Sequence, residues 1–280
     1  MTGTDDTWLI YNGASGSHDD AALQQLVGAL SDAGHAPSKV LDCKDGTPEA
    51  REANAAGLGT LVVHGGDGTI SRTLSQLEGF TGNALLLPGG TFNLLAREIF
   101  DDRASSEIVR LFGEGRLTPR RRMCIRGEGI LALAELLAGP GAKWADVREE
   151  LRDNNLGEMF AKGWDAAATS AVGPMVALAE PAAGRPEGYA GLRFCPRAEG
   201  ITIDGYGAEG LGDYLQQGIA ILKRDFREGP HDELGLARVV ACRSLEGEPI
   251  PLMVDGERCE GSPEVTFSLD TFDCDLFGPA

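Results

Sequence analysis

The sequence predicts an α/β protein in two parts: a mostly parallel sheet covered by helices on both faces, then an all-β region. Three observations carry this. Strand-like and helix-like segments alternate with short connections over the first hundred residues, the pattern of a parallel sheet buried between helical layers. "ALLL" (residues 84–87) is a continuous apolar run, as a strand buried on both faces requires. From about residue 190 onward, short strands alternate with turns and helical periodicity is lost, which reads as a sandwich or barrel.

The elements follow in order. "TWLIYN" is a short strand, and "GASGSHDD" is a polar loop after it. "AALQQLVGALSDAG" places Leu23, Leu26 and Leu30 on one helical face, with Gly34 as C-cap. "SKVLDCKD" is a second strand. "TPEAREANAAG" opens a helix with Thr47 as N-cap and Pro48 at its first position. Then come "LVVHGGDGT", the helix "ISRTLSQLEGF" and the strand and loop "NALLLPGGT". "FNLLAREIF" follows, with Phe92, Leu95, Ala96 and Ile99 on one face. The pattern changes near residue 118, so the expected domains are 1–118 and 119–280, with the last residues of the chain free to pack back on the first. "TPRRRMCIRGEG" is strand-like and basic. "GAKWADVREELRDN" is helical, with Trp144, Val147 and Leu151 at core spacing. The expected later strands are "GLRFCP", "GITIDGYG", "LGLARVVACRS", "IPLMVDGE" and "EVTFSLD".

Composition narrows the function. A chain of 280 residues, 42% apolar and 24% charged, is large enough for two cores. A net charge of −18 argues against nucleic-acid binding and against bulk attraction to anionic lipid. Phosphate or membrane contact must come from local groups. Six dispersed cysteines without zinc spacing fit a reducing cytosol. The start "MTGTDDTW" lacks a signal peptide's basic and apolar stretches. The most apolar run, "ILALAELLAG", is about half a membrane span and contains Glu135. The expectation is a cytoplasmic protein with transient, peripheral membrane contact, and a homodimer is allowed.

The chemistry concentrates in three glycine-bearing loops. "NGASG" (12–16), "GGDGT" (65–69) and "PGGT" (88–91) each end a strand. In a parallel sheet those ends converge on one crevice, where ligands bind. Glycines let main-chain amides approach a polyphosphate, and a following helix directs free N–H groups and its positive dipole end at the anion. Thr69 adds a hydroxyl. Asp67 makes sense beside phosphate if magnesium lies between them, or if it holds a ribose or a proton. The bland alternative is a tight turn whose aspartate caps the helix.

These loops, in this order, resemble the diacylglycerol kinase catalytic domain shared by bacterial lipid kinases, eukaryotic diacylglycerol kinases and sphingosine kinases. "IYNGASG", "VVHGGDGT" and "LPGGTFNLLAR" carry the resemblance, with "LMVDGE" near the C-terminus. NAD kinases share the "GGDGT" element but not usually a run such as Thr91 to Arg97. The resemblance implies an N-terminal three-layer α/β domain, a C-terminal all-β sandwich domain and an active cleft between them. It implies ATP- and magnesium-dependent phosphorylation of a lipid hydroxyl, with diacylglycerol or a related lipid as partner. By position, Asn12, Ser15 and Gly16 would lie near the nucleotide. Gly65, Gly66, Asp67, Gly68, Thr69, Gly90, Thr91 and Asn93 would line its phosphates, and Asp67 would also serve catalysis. Asp255 and Glu257 would activate the acceptor hydroxyl, and two carboxylates so close should raise one pKa. The alternatives are a kinase of a soluble acceptor such as NAD, or a nucleotide-binding regulator without catalysis.

The chain departs from the family at Arg72, where many relatives carry glutamate, and at Leu94, where many carry aspartate. Lys143 stands at an acidic position of the second domain. The departures leave the metal ligands unassigned. The basic stretch Arg116, Arg120, Arg121, Arg122 and Arg126 could meet lipid head groups, although a charge-guarded edge strand explains it better. Asp165 is a helix cap as readily as a site residue. His64 reads as a packed residue beside the loops.

Overall fold

The computed structural model describes residues 6–13, 20–90, 93–140, 175–207 and 231–279. The expected helix at 141–154, with Trp144, Val147 and Leu151, lies outside them. The chain divides into two compact units, one of residues 1–123 with 271–280 and one of residues 124–270.

The first unit alternates strands and helices: β1 (Asp6–Tyr11), α1 (Asp20–Asp32), β2 (Lys39–Asp42), α2 (Ala50–Ala55), β3 (Leu58–Gly65), α3 (Asp67–Gln76), β4 (Asn83–Pro88), α4 (Leu94–Phe100), α5 (Ser105–Gly113) and β5 (Leu117–Arg120). β1 pairs in parallel with β2 and β3, and β3 in parallel with β4. Leu61, Val62 and Val63 in β3 and Ala84 to Leu87 in β4 are fully buried. That is why these central strands read as unbroken apolar runs. Leu26 and Leu30 of α1 bury the predicted face, joining Leu9, Val62, Leu85, Phe100 and Phe112 in the core. α1 ends as its glycine predicts. Gly34 has φ +82°, its N–H donates to Ser31 O, and His35 N–H donates to Leu30 O, a Schellman cap. α2 starts later than expected, at Ala50 after Glu49. The Asp42 side chain accepts from Lys44 N and folds residues 43–45 into a 3₁₀ turn, so Thr47 and Pro48 are spent crossing to the helix.

The second unit is built from β6 (Met123–Gly127), β7 (Ile130–Ala132), β8 (Leu136–Ala138), β9 (Val176–Glu180), β10 (Gly191–Pro196), β11 (Ile201–Tyr206), β12 (Asp232–Ala237), β13 (Val239–Ser244), β14 (Ile250–Val254), β15 (Glu257–Gly261) and β16 (Glu264–Thr271). They form two sheets, ordered β12-β11-β10-β8-β14-β15 and β7-β6-β16-β13-β9. Alternation decides which residues point inward. Val265, Phe267 and Leu269 of β16 are buried and their neighbours exposed. Phe194 of one sheet meets Phe267 of the other, with centroids 6.4 Å apart. The expected single strand "LGLARVVACRS" is two strands, because the chain leaves one sheet at Ala237 and enters the other at Val239.

The last strand, β17 (Asp275–Pro279), belongs to the first unit and lies between β4 and β5. It pairs in parallel with β4 and antiparallel with β5. This strand moves the unit boundary past residue 118. β5 needs β17 as its partner, so the division falls after Met123 instead.

Candidate active site

Asn12 follows β1, Gly65 closes β3, and Gly89 and Gly90 follow β4. The described parts of the three loops therefore stand at the carboxyl ends of adjacent parallel strands, as the sequence predicts. Their glycines serve close approach rather than unusual dihedrals, since none of Gly65, Gly66, Gly68, Gly89 and Gly90 has positive φ. A Cβ on Gly90 would come within 2.5 Å of Gly66 Cα, and one on Gly89 within 3.1 Å of Gly65 Cα. A Cβ on Gly65 would meet Thr69 Cβ at 2.7 Å. Gly89 N–H donates to Gly65 O at 2.9 Å. The second and third loops are thus packed main chain on main chain.

Asp67 joins them a second way. The helix α3 begins at Asp67, with Gly66 as its N-cap, rather than at Ile70. The Asp67 carboxylate accepts Asn93 N–H at 2.9 Å on Oδ2 and Leu94 N–H at 2.5 Å on Oδ1. Asp67 does cap a helix, but the neighbouring α4 rather than its own α3. Asn93 enters α4 in the left-handed region, φ 53° and ψ 48°. Its side chain accepts Gly90 N–H and donates to Gly90 O, both at 2.8 Å. In the first loop, Asn12 Nδ2 donates to Thr69 Oγ1 at 3.2 Å. Thr69 itself is buried, so its hydroxyl ties β1 to α3. His64 is half-buried, and a Cβ on Gly89 would meet its Nε2 at 3.0 Å, so it packs beside the loops.

Asp42 is a functional candidate that sequence reading missed. It closes β2, is buried, and accepts Gly13 N–H at 3.2 Å, fixing the start of the first loop. The Lys44 ammonium, 2.9 Å away, holds its carboxyl below the usual range. The available signal was a carboxylate ending the strand beside the first glycine loop. Ser15, Gly16, Thr91, Lys143 and Asp165 lie outside the described residues.

The second unit holds the "VDGE" turn. Asp255 and Gly256 have φ 47° and 90°, the two left-handed residues of a tight hairpin between β14 and β15. Asp255 is buried. Its carboxylate accepts Leu133 N–H, Ala134 N–H and Glu135 N–H at 2.8, 2.8 and 2.9 Å. Its own N–H donates to Glu135 O at 2.9 Å. Burial lifts this carboxyl to about 6 against the three amides that pull it down. The rise was expected from Glu257, but its cause is burial, and the charge that adds to it is Glu135. Asp255 therefore anchors the loop between β7 and β8. Glu257, at the start of β15, is exposed. Glu135 is buried and receives Arg193 Nε at 2.9 Å, while Arg193 Nη1 lies 3.5 Å from Asp204.

The basic stretch is matched by acids. Arg116 pairs with Glu114, Arg122 with Glu98, Arg126 with Asp270, and Arg121 with Asp273 and Asp275. Arg120 and its neighbours end β5, an edge strand of the first sheet, the arrangement expected of charge guarding. Among the described residues no helix is long and apolar enough to cross a membrane.

Residues 6–119 match the diacylglycerol kinase catalytic domain. A curated relative from Chromohalobacter salexigens, "Probable lipid kinase YegS-like", is 36% identical over 124 residues. That match covers 42% of this chain and 38% of the relative, well under half the relative's length. A solved diacylglycerol kinase structure from Bacillus anthracis str. Sterne aligns with TM-score 0.59 and 16% identity, over 97% of this chain and 96% of that one. A second structure from that organism aligns with TM-score 0.64 and 14% identity, over 98% of both chains. At such identities the structures establish the fold: a mixed α/β unit with a mostly parallel sheet, followed by antiparallel sheets.

Proposed function

We propose that this protein, whose residues 6–119 match the diacylglycerol kinase catalytic domain, transfers the γ-phosphoryl group of ATP to the hydroxyl of a lipid alcohol, diacylglycerol or a relative of it. The observation that carries the reading is the fusion of the second and third glycine loops at adjacent strand ends, through the Gly66–Gly90 contact and the Asp67 bridge to Leu94. Such a surface offers amides without side chains in the way, and α3 turns its N-terminus toward it. The Asp67, Gly68 and Thr69 amides precede the first intrahelical bond, which Ile70 makes to Gly66 O, so they suit the phosphates of ATP. Asn12 and the fixed start of the first loop would hold the nucleotide's other end.

ATP brings magnesium, which usually takes one or two protein carboxylates beside its phosphates. Asp67 fits as one such ligand, since its carboxylate stands at the N-terminus of α3, beside the amides that suit the phosphates. Glu257 is the better candidate for the base that takes the acceptor's proton. It is exposed, whereas Asp255 is filled by three amides. A lipid acceptor would make membrane contact peripheral and transient.

The test is ATP consumption by the purified chain with diacylglycerol, sphingoid bases, ceramide, undecaprenol and NAD in turn. Turnover with one lipid alone supports the reading. Turnover with NAD alone assigns a soluble acceptor. ATP binding without turnover on any acceptor would leave a nucleotide-binding regulator.

A further inference from the structure

Three charged side chains of the second unit form a row that the chemistry proposed above does not use. Asp204 of β11 lies opposite Arg193 of β10, and Arg193 lies opposite Leu137 of β8. Glu135 stands two residues before Leu137, at the foot of the same strand. Arg193 Nε donates to Glu135 at 2.9 Å, and Arg193 Nη1 lies 3.5 Å from Asp204. The side chains of Glu135, Arg193 and Asp204 are only 11, 18 and 18% exposed. Taking an arginine and two carboxylates this far from water opposes folding about as much as their attraction favours it. Apolar residues of similar volume usually stabilise as well or better. Stability alone therefore does not account for the triad.

Strand order carries the row onward, through β11, β10, β8, β14 and β15. From Glu135 the connection passes to the main chain. Glu135 N–H donates to the Asp255 carboxylate and Glu135 O accepts Asp255 N–H, both at 2.9 Å. Asp255 and Gly256 make the turn, and Glu257 follows at once, opposite Val254. We propose that the Glu135–Arg193–Asp204 triad is a positioning device for Glu257. It fixes residues 133–135, these seat the Asp255 carboxylate, and the seated turn aims Glu257. The inference rests on Glu257 being the base of the proposed reaction. Glu257 is exposed at the start of an edge strand, so the turn before it decides where its carboxylate is held. Arginine suits the task, because its rigid fork engages two carboxylates in fixed directions, where a lysine offers a single mobile charge. Misplacing a reacting group by about 1 Å costs on the order of 100-fold in rate.

Position and stability can be separated by experiment. Glu135→Leu, Arg193→Met and Asp204→Asn together replace the triad with uncharged groups of similar size. The triple variant should melt at or above the wild-type temperature. Its kcat on an accepted lipid should nevertheless fall about 10–100-fold. The KM for ATP should not change, because the glycine loops belong to the other unit. Glu135→Gln keeps an oxygen for Arg193 Nε, so it should recover most of what Glu135→Ala loses. Hydrogen exchange at the Ala134 amide, a donor to Asp255, reads the same loop without turnover. It should be faster in Glu135→Ala and in the triple variant, and not in Glu135→Gln. Glu257→Gln is the reference. Added to it, the triple substitution should lower kcat no further, since both act through one group. A triple variant with wild-type kcat, a Glu135→Gln no better than Glu135→Ala, or losses that multiply with Glu257→Gln overturns the positioning role and leaves the kinase reading standing. Wild-type kcat in Glu257→Gln would remove the base and its positioning together, while lipid-dependent ATP consumption by the wild type would still support the kinase.

Discussion

Gly66 and Gly90 stand backbone against backbone, so close that a side chain on Gly90 would begin 2.5 Å from the Gly66 Cα. Two loops far apart in sequence are thereby made into one surface. The glycines are needed for that contact before any ligand arrives.

Gly90→Ala should force the loops apart, at a cost of about 1–3 kcal/mol in stability. ATP affinity should fall at least about tenfold, near 1.4 kcal/mol. Gly66→Ala should be milder, since its nearest contact is 3.3 Å. Gly28, exposed within α1 with nothing nearby, is the control. Gly28→Ala should stabilise by roughly 0.5–1 kcal/mol. Calorimetric ATP titration and thermal melts of the three variants decide it, and undiminished ATP affinity in Gly90→Ala would remove the loops from the nucleotide site.

Asp67→Ala should lower turnover and also stability, by about 0.5–2 kcal/mol, because it uncaps α4. The distinguishing measurement is hydrogen exchange at the Leu94 amide. Faster exchange in the variant supports the bridge, and unchanged protection rejects it.

Asp255 predicts a pH dependence with a definite sign. Its carboxyl sits at about 6 in the folded chain, against 3.8 for an ordinary aspartate. Between those values the folded state keeps a proton that the unfolded state releases. Stability from this residue is therefore greatest below about pH 4 and declines as pH rises through about 6, on the order of 2–3 kcal/mol in all. Asp255→Asn should be less stable than wild type, because its amide nitrogen meets amide donors. The gap between the two should narrow from pH 4 to pH 7.5. Denaturant midpoints across that range test this, and a gap that widens with pH would mean that the three amides outweigh burial.

Glu257→Gln should lower kcat by about 10²–10⁴ with little change in the KM for ATP, the range of positioned proton transfer. Its exposure means that the fold should be untouched. Steady-state kinetics on an accepted lipid, with ATP binding by calorimetry, would read the split. An unchanged kcat, or lost ATP binding, would place the base elsewhere.

What the sequence disclosed was local. The apolar run Ala84 to Leu87, the Gly34 cap and the strand-end glycines each follow from short-range rules, and each stands where it was read. What it concealed depends on partners distant in the chain. No rule of spacing connects Asp67 to Leu94, or Asp255 to the Leu133–Glu135 amides. The segment "LGLARVVACRS" crosses between sheets at Arg238, and no local rule marks that break: β12 buries none of its residues, whereas β13 buries Val240, Ala241 and Cys242. The basic stretch reads as a charge-guarded edge, but its acidic partners, such as Glu98 and Asp275, are distant in the chain and no spacing names them.

The position of β17 governs the order in which this protein can be born. Residues 275–279 fill the gap between β4 and β5, so the first sheet has its full strand set only after residue 279 has been synthesised. The second unit, residues 124–270, leaves the ribosome before the first can close. At roughly 5–20 residues per second, the emerging β4 edge waits many seconds for its neighbour. During that wait Leu85 and Leu87 belong to an unfinished sheet, which exposes the nascent chain to strand capture by other chains and gives chaperones their opening.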